Sequence, residues 1–178
     1  AKKEIKDWLE RIENDEIKTI EREKLKVPLN PSFIERISKK LGDFSELNRK
    51  WGVCNSKNTF KQLRENPEEW YYYHSLYSEA RKKWNEIPYI EISKKLREVW
   101  VIGDFGCGEN LLSKEIKNKV YAFDYIAIDD NVTQCDISNV PLNDNELDAV
   151  VMSLSLMGSN SNDYLKEAYR TLKSFGFL

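Results

Sequence analysis

The sequence predicts an α/β fold: a doubly wound, mostly parallel sheet preceded by an α-helical N-terminal extension. Three observations carry that prediction. The apolar run Val99–Ile102 is bounded by Gly103 and leads into Asp104-Phe-Gly-Cys-Gly108; it is too short for a helix and reads as a buried parallel strand followed by a tight turn. A second apolar run closes on Asp124, 18 residues past Gly106. A third, Leu147–Ser155, is nearly continuous, as a central strand buried on both faces requires. Strand, glycine turn, helix, second strand and terminal acid is the order of a nucleotide-binding βαβ unit.

Taken from the N-terminus, Ile5, Trp8, Leu9 and Ile12, extended by Ile17 and Ile20, recur at helical spacing and predict an amphipathic helix over 3–24. Pro28 and Pro31 interrupt the chain; Phe33, Ile34, Ile37 and Leu41 then mark a second helix that Gly42 ends. This reading divides the chain into a helical extension, 1–65, and an α/β domain, 66–178. The domain opens on Asn66-Pro67-Glu-Glu, with Asn as cap, Pro at the first helical position and acids in the first turn. From it rises Trp70-Tyr-Tyr-Tyr-His74-Ser-Leu-Tyr77, reaching to Trp84. Trp70, Tyr73, Tyr77 and Trp84 share one helical side; Trp70, His74, Tyr77 and Arg81 share an overlapping one. Aromatic faces of this kind stack on splayed bases of single-stranded RNA, and more often simply fill a core. For His74, the single histidine, the residues alone favour a packed side chain over a ligand contact.

In the glycine turn, two glycines in three residues admit φ > 0 and let the backbone approach a ligand with no Cβ in the way. Asp104, Gly106 and Gly108 are therefore candidate ligand contacts. A helix follows from about Asn110 to Asn118, with Leu111, Leu112 and Ile116 on its apolar side. Asp124 has the spacing of an acid that accepts hydrogen bonds from both hydroxyls of a ribose. The turn lacks the third glycine of the pyrophosphate fingerprint, which favours S-adenosylmethionine, a cofactor without phosphate, over a dinucleotide; a tight turn with no ligand is the remaining alternative. Val132-Thr-Gln-Cys-Asp136 is a short strand ending in another acid, placed to accept from an adenine amine while Ile137 covers a ring face. The carboxyl end of the Leu147–Ser155 strand should lie at the crevice where open α/β sheets bind ligands. Ser161–Lys173 reads as a helix with Tyr164, Leu165, Ala168, Tyr169 and Leu172 on one side and Ser161 or Asn162 near its cap, and Phe175–Leu178 as the approach to a fifth strand. The sheet is thus expected to be C-terminally incomplete, without its final strands.

Together, Asp104-Phe-Gly-Cys-Gly-Glu, Phe123-Asp124, Val132-Thr-x-Cys-Asp136, Val140-Pro-Leu and Ser153-Leu-Ser-Leu-Met-Gly-Ser-Asn160 resemble the nucleomethylin family of ribosomal RNA adenine methyltransferases. The resemblance spans roughly Pro67 to Leu178, and the Ser-Leu-Ser-Leu-Met-Gly run is its most specific part. It implies a class I, Rossmann-like methyltransferase fold and methylation of the N1 ring nitrogen of an adenosine in ribosomal RNA, with S-adenosylmethionine as donor and S-adenosylhomocysteine as product. Matched motif by motif, it places cofactor contacts on His74, Gly106, Asp124, Asp136, Ile137 and Ser153, with His74 at the methionine moiety. Ile137 and Ser153 stand where the family commonly has methionine and cysteine, and Lys173-Ser-Phe-Gly-Phe replaces the usual Lys-Pro-Gly-Gly turn.

The chemistry asks little of the protein beyond holding donor and acceptor collinear and dry. A purine ring nitrogen has an in-plane lone pair, so no covalent nucleophile is required, and no catalytic residue is assigned. Ser155, Met157 and Asn160 are candidates for the acceptor side. The segment after the Leu147–Ser155 strand lacks the polar-Pro-Pro-aromatic turn that grips exocyclic amines, which argues against methylation of an amino group. Cys54, Cys107 and Cys135 are odd in number and widely spaced, with no metal-ligand pattern, and no metal is expected. The chain has no apolar run of 18 residues and no signal-peptide pattern, so a soluble, intracellular protein is expected, nucleolar or nuclear in a eukaryote and cytoplasmic in a prokaryote. Residues 1–100 carry 22 basic and 18 acidic residues against 6 and 12 in 101–178, a distribution compatible with RNA contact through the basic preface. Two other readings stay open: a non-catalytic cofactor-binding module, and a modification domain of a larger helicase-like enzyme.

Overall fold

The computed structural model describes residues 42–178, so the helices expected over 3–24 and from Phe33 to Leu41 lie outside the described residues. Helix α1 (Phe44–Val53) starts with a capping box: the Asp43 side chain accepts from Glu46 N–H at 2.9 Å and the Glu46 carboxylate from Asp43 N–H at 3.0 Å. Asn55 caps α2 (Ser56–Glu65) by accepting from Lys57 N–H. Helix α3 (Pro67–Arg81) has proline in its first turn as the sequence predicts, but the Asn66 side chain makes no capping bond; it reaches back to the Gln62 carbonyl instead.

These three helices share one core, Leu47, Trp51, Leu63, Trp70, Tyr72 and Tyr73, which also receives Ile126 from beyond the second strand. At its centre lies a buried carboxylate. Glu69 accepts from Lys50 Nζ, from Trp51 Nε1 at 2.7 Å and from Gln62 Nε2 at 2.9 Å, so one side chain ties α1, α2 and α3 together. Glu69→Ala is expected to lower stability in urea unfolding by about 2 kcal/mol or more, because the buried Trp51 indole N–H loses its acceptor and the tie between the three helices is cut.

After a short helix α4 (Pro88–Ser93), the chain alternates β1 (Ile102–Phe105), α5 (Leu111–Glu115), β2 (Val120–Asp124), β3 (Val132–Gln134), β4 (Leu147–Val151), α6 (Ser161–Thr171) and β5 (Leu172–Phe177). All pairings are parallel, in the order β3-β2-β1-β4-β5. The apolar residues of β4 divide between two layers: Leu147 and Val150 pack with Phe105, Phe123, Tyr164 and Ala168, while Ala149 and Val151 pack with Ile102, Leu112, Tyr89 and Ile92. That two-sided burial is why the strand reads as an unbroken apolar run. The order reverses between β1 and β4, and a crevice opens there at the strands' carboxyl ends.

Several element boundaries differ from the sequence reading. The first strand lies three residues later than Val99–Ile102; Val99 is exposed, and Val101 instead exchanges hydrogen bonds with Asp148 through N–H to Oδ2 and C=O to N–H. Asp104 therefore belongs to the strand, not the turn. Helix α5 is only five residues, preceded by Asn110 at φ 53°. Strand β4 stops at Val151, because Leu154 adopts φ 57° and turns the chain out of the sheet. Helix α6 ends at Thr171 and the fifth strand begins at once, with a register irregularity between Leu147↔Leu172 and Ala149↔Phe177. Its buried stripe is Tyr164, Glu167, Ala168 and Thr171; Leu165 and Tyr169 face solvent. Glu167 tolerates burial because it accepts from Val140 N–H at 2.7 Å and pairs with Arg170.

Candidate active site

At the switch point lies a cavity of about 700 Å³, within the range of about 300–1,000 Å³ typical of small-molecule sites. Strand β1 delivers Asp104 and the glycine turn, β2 delivers Asp124, and the turn leaving β4 delivers Ser153, Ser155 and Met157. The turn is latched to the sheet: Gly106 N–H and Cys107 N–H both donate to the Phe123 carbonyl, at 2.8 and 2.9 Å. Gly106 and Gly108 have φ of +81° and +55°. A Cβ at Gly106 would run into the Ser155 side chain, and one at Gly108 would stand 2.7 Å from His74 Cε1. Both glycines are thus required by conformation and by space. Gly108→Ala is expected to weaken cofactor binding at least about tenfold in calorimetry, since a side chain there must displace the His74 ring that lines the cavity.

Asp124, buried at the end of β2, is already heavily engaged. Its Oδ1 accepts from Trp70 Nε1 and from Tyr125 N–H, each at 2.8 Å, and its Oδ2 from Gly108 N–H at 2.7 Å. The Ile126 N–H also bears on the carboxylate, so a ribose hydroxyl binding here would share the two oxygens with these donors. Burial still outweighs these bonds and raises the Asp124 carboxyl above its usual range. Asp104 is pushed up to about 7, by burial and then by the Asp124 charge. The Cys107 thiol is driven well above its ordinary value by burial and the surrounding acids, which leaves it protonated and unfit as a nucleophile.

Helix α3 places His74 across from Gly108, with its ring 3.9 Å from that of Trp70 one turn earlier. Burial, then the Arg81 charge, lowers His74 to about 3, so it is neutral at physiological pH, with one ring nitrogen a donor and the other an acceptor. Arg81 itself pairs with Glu109 at 2.8 Å. Three buried polar atoms around the site have no partner: His74 Nδ1, Asp136 Oδ2 and Ser155 Oγ. Unsatisfied polar atoms are uncommon in folded interiors, and their grouping here suits a polar ligand.

Of the residues singled out from sequence, His74, Asp104, Gly106, Gly108, Asp124, Ile137, Ser153, Ser155 and Met157 line this one cavity. Asp136 precedes Ile137 beside it, its Oδ1 accepting from Ser138 N–H. Asn160 stands apart: its amide accepts from Ser56 N–H at 2.8 Å and donates to Ser56 Oγ at 2.9 Å, tying α6 to α2. Among the described residues no group of three or more His, Cys, Asp or Glu side chains could hold a metal ion, and no helix is long and apolar enough to cross a membrane.

A family model described as a hypothetical methyltransferase matches residues 32–178. The chain belongs to this methyltransferase family. Its relatives include Ribosomal RNA-processing protein 8 of Arabidopsis thaliana, 35% identical over 158 residues that cover 86% of this chain and 55% of the relative. The protein of the same name from Rattus norvegicus is 43% identical over 119 residues, 65% of this chain and 26% of the relative. The 25S rRNA (adenine(645)-N(1))-methyltransferase of Schizosaccharomyces pombe is 34% identical over 152 residues, 76% of this chain and 48% of the relative. The chain therefore spans from about a quarter to about half the length of these relatives.

For a methyltransferase of this family, the helices before the sheet contribute more of the site than the motifs announce. Phe44, Asn48 and Trp51 of α1 and Thr59 of α2 line the cavity, and none was singled out from sequence. The capping box Asp43-x-x-Glu46 is the one local signal that announced α1. Trp70 was noticed only as an aromatic; its bond to Asp124 crosses 54 positions, and no local pattern encodes it.

Proposed function

We propose that this protein is an S-adenosylmethionine-dependent methyltransferase acting on N1 of an adenosine in ribosomal RNA. The observation that carries the reading is the grouping at one switch-point cavity of a two-glycine turn, the buried Asp124 carboxylate and the unpartnered atoms of His74 and Ser155, with the unpartnered Asp136 Oδ2 next to the lining residue Ile137. These residues fit the cofactor. Asp124 Oδ2 would take a ribose hydroxyl, Asp136 Oδ2 the adenine amine with Ile137 against the ring, and Gly106 and Gly108 a close backbone approach. His74 and Asp104 would face the methionine portion, and Ser153 the cavity wall. S-adenosylmethionine bound there supplies an electrophilic methyl group on a sulfonium. The chain's own part is to orient donor and acceptor and exclude water.

Ribosomal RNA as substrate is supported by the names of the relatives, and N1 of adenine by the name of the Schizosaccharomyces pombe relative. The raised thiols of Cys107 and Cys135, both protonated at neutral pH, agree with direct transfer to a ring nitrogen. Incubation with labelled S-adenosylmethionine and large-subunit ribosomal RNA, followed by nucleoside analysis, is expected to yield 1-methyladenosine. Cofactor binding with no transfer to any RNA would instead make the chain a binding module, and the enzyme reading would fall.

A further inference from the structure

One part of the cavity is unused by the cofactor assignments above. Beside His74 the wall is aromatic: Phe44 of α1, Tyr73 and Tyr77 of α3, and Trp84 just past it. The rings support one another. Phe44 stacks with Tyr73 at 5.1 Å and with Tyr77 at 6.4 Å, Trp84 meets Tyr77 edge-on at 5.6 Å, and His74 is edge-on to both Tyr73 and Tyr77. Tyr73 is fixed further by donating to Asn48 Oδ1 at 3.0 Å. Few charges face this wall: His74 is neutral, and Arg81 lies over Tyr77 but is paired with Glu109.

Transfer to a ring nitrogen relocates charge. The N1 lone pair forms the new N–C bond, the C–S electron pair stays on sulfur, and the positive charge passes from sulfonium to purine ring with no proton moved. A cation arising beside aromatic faces is stabilised by their quadrupoles, whereas a neutral purine gains only stacking. We propose that the wall formed by Phe44, Tyr73, Tyr77 and Trp84 is the acceptor-purine subsite, and that it holds the methylated, cationic base more tightly than the neutral one. The proposal rests on the methyltransferase reading and adds to it the residues that receive the base and the electrostatic reason for the choice of aromatics.

The test uses the full chain saturated with S-adenosylhomocysteine and titrated with 1-methyladenosine, cationic at neutral pH, or with adenosine, by ligand-observed NMR. The expected result is tighter binding of 1-methyladenosine by about threefold or more. Phe44→Leu and Tyr77→Leu should erase that preference while S-adenosylhomocysteine still binds with near wild-type affinity in calorimetry, which also reports that each variant is folded. Equal binding of the two nucleosides, or a preference untouched by both variants, overturns the proposal and leaves the methyltransferase reading standing. Failure of the folded wild-type chain to bind S-adenosylhomocysteine overturns both.

Discussion

Asp124→Ala is expected to abolish saturable binding of S-adenosylmethionine in calorimetry at neutral pH, with an affinity loss of about 100-fold or more. One charge-assisted hydrogen bond accounts for roughly 1.5–3 kcal/mol, or about ten- to a hundred-fold in affinity. The remainder comes from the glycine turn, because Gly108 N–H loses the Oδ2 that holds it at 2.7 Å. Trp70 Nε1 is also left without its acceptor in a buried position. Graded variants separate these contributions. Asp124→Asn keeps the shape and removes the charge, and Trp70→Phe keeps an aromatic side chain and removes the indole donor, so a smaller loss of severalfold is expected from the latter. His74→Ala should weaken binding without abolishing it. A folded Asp124→Ala protein with wild-type affinity would remove this acid from the site.

The second large effect is on stability and its pH dependence. Asp104 rises from 3.8 to about 7 on folding, so between those values the native state holds a proton that the unfolded chain has lost. Stability contributed by this group is therefore greatest at low pH and falls as pH rises to about 7. His74 acts in the opposite direction. Its native value of about 3 lies below the ordinary 6.5, so the unfolded chain binds the proton first, and its contribution is present above 6.5 and lost as pH falls toward 3. From about pH 4 to 6.5 the two slopes nearly cancel. Asp104→Asn removes one of them. The variant's stability relative to wild type should climb by roughly 1 kcal/mol per pH unit from about pH 4. The climb should level off above pH 7 at a gain on the order of 4 kcal/mol. Urea unfolding of both proteins at pH 4.5, 6 and 8 reads this directly, and parallel curves would show that Asp104 is not held near neutrality. The same substitution should weaken S-adenosylmethionine, with its sulfonium charge, more than S-adenosylhomocysteine, which lacks that charge. On the cofactor reading, a buried carboxylate that is costly to ionise suits a cationic ligand.

The strands and the glycine turn were legible because they answer to local physics. Apolar residues without alternation mark a strand covered on both faces, as β4 is by Leu147 and Val150 on one side and Ala149 and Val151 on the other. Glycines at 106 and 108 mark a backbone whose positive φ and close neighbours exclude a Cβ. Boundaries were less legible. Val99-Trp-Val looks as strand-like as Ile102–Phe105, but Trp100 N–H closes a turn on the Arg97 carbonyl, and Val101 gives its N–H to the Asp148 side chain, a contact across 47 positions. The stripe on α6 was misplaced for a related reason: Leu165 and Tyr169 have the apolar character of a core, but Glu167 is the buried residue because Val140 N–H and Arg170 satisfy it there.

By itself, then, the sequence determined the class of fold, the turn that a ligand approaches, the acids at the ends of β2 and β3, and, through the wording of its motifs, the family. These follow from periodicity and from the steric demands of single residues, both of which act over a few positions. Only the tertiary structure decided that α1 and α2 close over the cavity, that Trp70 occupies one face of the Asp124 carboxylate, and that Asn160 is spent on Ser56 104 positions away. Those outcomes depend on which surfaces meet when the helices dock on the sheet. The free energy that selects them is the burial of the shared Leu47, Trp51, Leu63 and Trp70 core, a collective quantity that no local stretch of sequence encodes.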